Sequence, residues 1–171
     1  MNWKNRVYCG TISNAHQQQH VELMGWVDAT RDHGHLIFIH LRDITGIVQL
    51  VIDSEKNPKM ATLAHSLRSE FCISAIGTVV SRTEETINPH IPTGSFEVEI
   101  ETMTVLSKSK TPPFIISEKD IMGEDSGNTH YVDEDIRLNF RYLDLRRLSI
   151  RQNLIHRSKL IKLMRDYLDN Q

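Results

Sequence analysis

GWVDATRDHGHLIFIHLRDITGIVQL, residues 25–50, decides the fold of this 171-residue chain. It reads as three strands joined by two tight turns. Arg31-Asp32-His33-Gly34 punctuates the first turn and Asp43-Ile44-Thr45-Gly46 the second. Gly and Asp supply the positive φ or the side-chain-bonded conformations that such turns need. Between the turns the side chains alternate with period two. Ile37, Ile39 and Leu41 share one face, and Leu36, Phe38, His40 and Arg42 the other. In the next strand Val48, Leu50 and Ile52 share one face, and Ile47, Gln49 and Val51 the other. With the aliphatic sets in the core, Phe38 and Gln49 lie on the outer face of adjacent strands. That pattern has two readings. Either another part of the chain covers Phe38, or Phe38 is a platform on which a flat base stacks while Gln49 reads its edge by hydrogen bonds.

Upstream, residues 1–8 read as a short arm, Cys9 to Ile12 as a short strand and Ser13 to His20 as a polar connection. Val21 to Asp28 is the first long strand, with Val21, Leu23 and Val27 on one parity; Gly25 inside it predicts a bulge or a sharp bend. Downstream the period changes. Met60, Leu63, Ala64 and Leu67 recur at three- and four-residue steps after Asn57-Pro58, which predicts an amphipathic helix of about three turns with Pro58 in its first turn. Phe71 to Val80 returns to period two, with Phe71, Ile73, Ala75 and Val79 together. Thr83 to Gly94 is a long polar loop with two prolines. In the last strand Phe96, Val98 and Ile100 alternate with Glu97, Glu99 and Glu101.

The order strand, strand, strand, helix, strand, strand is that of an OB-fold: a mainly β, five-stranded barrel with one helix between its third and fourth strands. Such barrels bind oligonucleotides on the face of strands two and three, flanked by the loops joining strands one to two and four to five. Here those parts are Phe38 to Gln49, Arg31 to Gly34 and Thr83 to Gly94. They carry groups suited to base edges: Arg31 as a forked donor, Gln49 as donor and acceptor, and Arg82 and Asn88 at the second loop.

The barrel is expected over residues 1–110. A linker or hinge over 111–140 opens with Thr111-Pro112-Pro113-Phe114, and a C-terminal helix follows in a segment 141–171. Charge divides there as well: Glu118 to Asp135 holds seven acidic residues and one lysine, whereas Arg137 to Arg165 holds nine Lys or Arg and one Asp. From Ser149 on, Ile150, Leu154, Ile161, Leu163, Met164, Tyr167 and Leu168 give a helical pattern. So apolar a helix wants a partner, which points to a truncated chain or an oligomer.

Composition is that of an ordinary globular protein, 39% hydrophobic and 25% charged. No apolar run approaches the roughly 18–20 residues that span a bilayer, so no membrane partner is expected. The N-terminus lacks the apolar core of a secretory signal. Cys9 and Cys72 have neither a CxxC partner nor clustered histidines, so they read as reduced thiols of a cytoplasmic protein rather than zinc ligands. The nine histidines show no metal spacing, and Asp32 and Asp43 form no acid–base pair. No catalytic residue and no metal site is expected. A net charge of −2 argues against a non-specific nucleic-acid binder, which carries a strong basic excess, but not against a specific one with a few placed residues.

Gly25-Trp26-Val27, Arg31-Asp32-His33-Gly34 with Leu36-Ile37-Phe38-Ile39, Leu41-Arg42-Asp43 with Gly46 and Gln49, and Arg141-Tyr142-Leu143-Asp144-Leu145-Arg146-Arg147 resemble bacterial aspartyl-tRNA synthetases, in order and spacing, over essentially the whole chain. The resemblance implies an N-terminal OB-fold that binds the tRNA anticodon stem-loop, a hinge and the start of a class II catalytic domain. In the full-length enzyme, a homodimer, aspartate is activated with ATP and Mg²⁺ and passed to the terminal ribose of tRNA. The chain stops where the first catalytic motif would begin, so it is expected to bind the anticodon, to need no cofactor and to be inactive alone.

Residue by residue, the resemblance puts Phe38 under the central anticodon base, with Arg31 and Gln49 at that base's edge. It places Glu97, Arg82 and Asn88 near the flanking bases, and Arg68 near the strand. Glu97 is either one of three solvated glutamates or an acceptor for a cytosine amino group, which fits an anticodon ending in C. Three departures stand out: Ala29-Thr30 where the family commonly has a basic run, Val80 where it often has arginine, and Thr86 where it often has asparagine. Thr86 is therefore a candidate for specificity. His33 is another, since it resembles enzymes that charge both aspartate and asparagine tRNAs; it is equally a plain turn residue. Arg146 and Arg147 read as structural, with contact to the tRNA stem as the alternative. Two other functions compete. A free-standing single-strand-binding module would show several outward aromatics and a basic groove, and an interaction fragment draws support only from the terminal helix.

Overall fold

A computed structural model describes residues 3–116 and 132–170. The chain forms two compact units, Met1–Thr111 and Pro112–Gln171. The first holds five strands: β1 His20–His33, β2 Leu36–Arg42, β3 Ile47–Asp53, β4 Cys72–Ser81 and β5 Phe96–Ser107, with helix α1 Pro58–Ser66 between β3 and β4. β1 pairs with β2, β2 with β3 and β4 with β5, all antiparallel. β3 pairs with β5 in parallel, and β4 returns to β1, so the sheet closes into a barrel. The OB-fold expected from the order of elements is the fold observed.

The inward set is the one that period two selects. Ile37, Ile39 and Leu41 of β2, Val48, Leu50 and Ile52 of β3, and Phe71, Ile73, Ala75 and Val79 on and beside β4 are all buried in one core. Helix α1 presents Ala61 and Ala64 to that core, with Leu67 just beyond its end. Asn57 caps it, its side-chain carbonyl accepting from the Met60 N–H at 3.3 Å, and Pro58 occupies the first turn where no N–H is needed.

Four local expectations are corrected. Cys9–Thr11 is a 3-10 turn rather than a strand. Asp43 holds it there: its buried carboxylate accepts from the Cys9 N–H at 2.7 Å, and also from Thr45 and Gly46 within its own turn. Burial pushes the Cys9 thiol well above its ordinary range, which keeps it protonated and inert. The second correction concerns the first turn, which is only Gly34-His35, with Gly34 at φ 63°. Arg31, Asp32 and His33 belong to β1.

The third correction moves the bulge. The β1–β2 register slips between Val27 and Ala29, so Asp28 is the extra residue. Gly25 serves a close approach instead: a Cβ there would lie 2.5 Å from the Arg42 carbonyl oxygen. The fourth lies in the second unit, where Glu134–Asn139, read as linker, is helix α2. The acidic stretch read as linker lies largely outside the described residues.

Arg141–Asp144 forms the short helix α3, and Leu148–Asp169 forms α4. At the end of α3, Asp144 is fully buried among cations. Arg141 Nη1 donates to it at 2.7 Å and Arg137 Nε at 3.1 Å, and Arg147 stands 3.6 Å away. Burial by itself raises the Asp144 carboxyl, but the hydrogen bond and charge of Arg137, with Arg141 and Arg147, outweigh it and hold the group below the usual carboxylate range. Arg147 therefore has a structural partner within its own segment. Among the described residues no helix is long and apolar enough to cross a membrane.

Two outcomes follow from this architecture. Gly25→Ala should destabilise the barrel by about 1–3 kcal/mol, read by denaturant unfolding, because the methyl group meets β2 backbone that cannot move aside. The Asp144 carboxyl titrates lower in the folded chain than unfolded. Its contribution is therefore complete above the unfolded value of about 3.9 and lost as pH falls through the folded one. In an acid titration followed by circular dichroism, Asp144→Asn should remove that part of the helical loss.

Candidate nucleic-acid interface

The outer face of β1, β2 and β3 carries two rows of side chains set by strand register. Paired residues share a face. One row runs Ala29, His40, Gln49 and Glu97 across β1, β2, β3 and β5; the next runs Arg31, Phe38 and Val51. Together with Asp32, His33 and Arg82, most of these side chains line a concavity of about 300 Å³. Ala29 and His40, partners in the β1–β2 register, both line it.

Phe38 is half-buried, while its neighbours Ile37 and Ile39 are in the core. Its ring is thus neither packed inside nor fully in water, and it is held on a rigid strand. Gln49 is only 6% exposed, far less than an outward amide on open sheet. Charged neighbours explain the difference. Gln49 Nε2 donates to Glu97 Oε2 at 2.9 Å, and Arg82 Nη1 donates to Gln49 Oε1 at 3.5 Å. Arg82 Nε also stands 3.6 Å from Glu97 Oε2. Glu97 is therefore an ordered member of a polar network rather than a solvated side chain, and its partner Gln49 lies directly across the parallel β3–β5 pair.

The remaining candidates sit elsewhere. Arg68, just past α1, donates from Nη1 to the His65 and Leu67 carbonyls at 3.1 and 2.7 Å, closing the helix end, and does not line the concavity. Asn88 closes a small turn, its side-chain oxygen accepting from the His90 N–H at 2.9 Å. Thr86 ends a 3-10 turn, bonded to the Thr83 carbonyl at 3.0 Å. The 83–94 loop is thus folded on itself, with Ile91 and Thr93 buried and Thr93 donating to the Ile47 carbonyl. His33 lies on the rim near Asp32, whose carboxylate is 3.5 Å from His65 Nδ1.

Sequence reasoning passed over His40, although it alternates with Phe38 on the same face. It is only 6% exposed and stands directly across from Gln49 in the β2–β3 register. Burial pushes its basicity below the ordinary histidine range, opposed by Gln49 and Asp28 and reinforced by Arg31 and Arg82. The signal was a titratable side chain at an outward position next to the chosen aromatic and amide.

Chemically, the concavity offers a ring face, forked guanidinium donors, an amide and a carboxylate, a set that matches a base plane and its edge. Among the described residues no three His, Cys, Asp or Glu side chains assemble as metal ligands.

Comparison with known proteins agrees with this geometry. Residues 21–106 match the tRNA anticodon family described as OB-fold nucleic acid binding domain, and residues 133–171 match the class II tRNA synthetases (D, K and N). The chain is 47% identical over 166 residues to an aspartate–tRNA(Asp/Asn) ligase of Natranaerobius thermophilus, covering 97% of this chain and 27% of that protein. Over 173 residues it is 44% identical to aspartate–tRNA(Asp/Asn) ligase 1 of Syntrophus aciditrophicus, covering 100% and 24%. It therefore spans about a quarter of the length of these curated relatives. Among solved structures, asparaginyl-tRNA synthetase from Pyrococcus horikoshii aligns with a TM-score of 0.75 at 25% identity, over 95% of this chain and 35% of that one. Aspartyl tRNA synthetase from Entamoeba histolytica aligns at 0.78 and 21% identity, over 92% and 36%, and shares the fold.

If Phe38 serves the surface rather than the core, its truncation should be mild. Ile39→Ala is expected to cost about 2–5 kcal/mol in unfolding free energy, and Phe38→Ala less than half of that. Equal costs in urea titrations would place Phe38 in the core.

Proposed function

The chain belongs to the OB-fold nucleic acid binding domains of the tRNA anticodon type, followed by a class II synthetase segment, and from that premise we propose that it is the anticodon-recognising part of an aspartate–tRNA ligase. The observation that carries this reading is the half-buried, outward Phe38 held beside Arg31, Gln49 and Arg82 on one concave face of the barrel. The full-length enzyme of this reading attaches aspartate to tRNA with ATP and Mg²⁺, as a cytoplasmic homodimer. The residues of this chain supply recognition rather than chemistry, and none is assigned to ATP or to the metal. Barrel 1–110, hinge 111–140 and the start of the catalytic domain at 141–171 are the parts this reading assigns.

Phe38 stacks under the central anticodon base, worth about 1–3 kcal/mol per base. Arg31 and Gln49 meet that base's edge from either side, one as a forked cation and the other as an amide. Glu97 accepts from the amino group of a neighbouring cytosine, exchanging its bond to Gln49 for one to the base. Arg82 and Asn88 serve the flanking nucleotides, and Arg68 the strand. Because rigid strands hold most of these groups, little ordering cost falls on binding. A net charge of −2 over the chain is no obstacle, since recognition rests on a few placed contacts instead of a basic surface.

His33 on the rim and Thr86 in the second loop are the specificity candidates. The relatives' names, which pair Asp with Asn, support a site that takes both tRNAs. Binding of the chain to anticodon stem-loops of aspartate and asparagine tRNA, at two salt concentrations, tests the proposal. Both loops should bind with similar affinity and in a base-dependent way, and Phe38→Ala and Gln49→Ala should each weaken binding by about 1–3 kcal/mol. Binding that ignores the anticodon sequence, or survives loss of Phe38, overturns it.

A further inference from the structure

Helices α2 to α4 carry a charge imbalance that the reading above does not use. Between Arg137 and Arg165 stand nine Lys or Arg and one Asp, in a chain whose total charge is −2. The one acid, Asp144, is fully buried. Its charge lies inside the segment, so the solvent-facing side of this stretch presents cations.

The donors outnumber what Asp144 can accept. A guanidinium has five N–H donors, and a carboxylate has about four lone-pair sites. Asp144 accepts from Arg137 Nε and Nη2 at 3.1 and 3.3 Å and from Arg141 Nη1 at 2.7 Å. Arg147 Nη1 stands at 3.6 Å, too far for a good hydrogen bond. One buried carboxylate thus gathers three cations and leaves most of their donors unused by it. Among the described residues Arg147 Nε is buried with no acceptor, and so is Arg151 Nε one turn along α4. Buried donors are nearly always satisfied, so two orphans side by side point to an acceptor that this chain does not itself supply.

Their position sharpens the point. Arg147 is the cap residue of α4, its side chain makes no cap bond, and no acidic residue stands in the first turn. The start of a 22-residue helix is its positive end, where a carboxylate is favoured and a cation is not. Arginines crowded there repel each other and the helix dipole. Departures of this kind occur at functional sites, where a ligand relieves them. The relieving group is an anion with several acceptor oxygens, and a phosphate diester is one that guanidinium forks bind through paired N–H groups. The same chain carries a nucleic-acid-binding barrel, which favours a backbone phosphate over a free one.

We propose that Arg141, Arg147 and Arg151, gathered at buried Asp144, form a sequence-independent site for backbone phosphates of the RNA whose anticodon the barrel reads. The identity of that RNA rests on the proposed function; the site itself does not. Asp144 is the positioning residue: it orients guanidinium planes from beneath without reaching the surface.

The test uses the 171-residue chain and two whole aspartate tRNA transcripts that differ only in the central anticodon base, with dissociation constants measured over a range of salt concentrations. Arg151→Gln should weaken binding of both transcripts by the same factor, about three- to tenfold, and lower the slope of log K against log salt by about one phosphate contact. Arg151→Lys keeps the charge and should keep the slope. Phe38→Ala should do the converse, lowering the preference between transcripts and leaving the slope. The wild-type chain gives a second readout that needs no variant to fold: the Nε–H resonances of Arg147 and Arg151 should shift on adding either transcript. Unchanged affinity and slope in Arg151→Gln, or resonances indifferent to RNA, overturns the site. The same shift produced by inorganic phosphate at equal concentration makes the cluster a free-anion site and overturns the assignment to RNA. Equal binding of both transcripts, with the Arg151→Gln effect intact, overturns the anticodon reading and supports the phosphate site.

Discussion

One strand serves two neighbours, and the rest of the barrel depends on how it turns from one to the other. β1 gives its first half, His20 to Trp26, to β4 and its second half, from Trp26 to His33, to β2. Closing a five-stranded barrel requires that corner. Gly25 lets the β1 backbone approach the Arg42 carbonyl closely, and the extra residue Asp28 turns the strand. The bulge also reverses parity. Val27 points inward before it, and Arg31, although also odd-numbered, pairs with outward Phe38 after it. Without the bulge, Arg31 would face the core side instead of standing across from Phe38.

The corner is held by charge. Arg42 Nε donates to Asp28 Oδ1 at 2.9 Å, and its other arm meets Glu70, whose backbone binds Val27 across the corner. Its guanidinium also lies 5.9 Å from the Trp26 ring centroid. A buried ion pair of this kind is weak evidence for stability, since desolvation offsets much of the attraction. What it supplies is register: Asp28 can sit only where the bulge puts it. The same logic runs through Asp43, which ties the N-terminal 3-10 turn to the β2–β3 turn, and through Asp144, which gathers three arginines in the second unit. On the concave face the Arg82–Gln49–Glu97 network does likewise, holding its polar groups in defined orientations.

Much of the fold was legible because burial in a barrel follows period two. The inward residues of β2 and β3 and the α1 stripe were readable from alternation and three-to-four spacing, and the order of elements identified the OB-fold. Phe38 and Gln49 were readable as outward because each sits out of phase with an aliphatic set. Arg31, assigned to a turn, proved to be a strand residue, because the turn needs only Gly34-His35 and the Asp-His pair mimicked turn chemistry. Cys9 to Ile12 looked like a strand from its apolar ends, but the Cys9 and Gly10 N–H groups are taken by side chains of a distant turn, and those of Thr11 and Ile12 by carbonyls three residues back. His40 was passed over because a histidine on an outer face carries no signal until its neighbours are known.

What the sequence by itself determined is the set of faces: which side chains are apolar at which period, where turns can form, and which few polar residues lie opposite the core. These are local properties, decided by spacing within one strand or helix. Only the tertiary structure decided which polar residues meet. The β1 bulge brought Arg31 beside Phe38, and parallel β3–β5 pairing set Glu97 against Gln49, 48 residues apart in the chain. The burial of His40 beside Gln49 also exists only when the barrel is closed. Cross-strand register is a long-range quantity, and no period within a single strand encodes it.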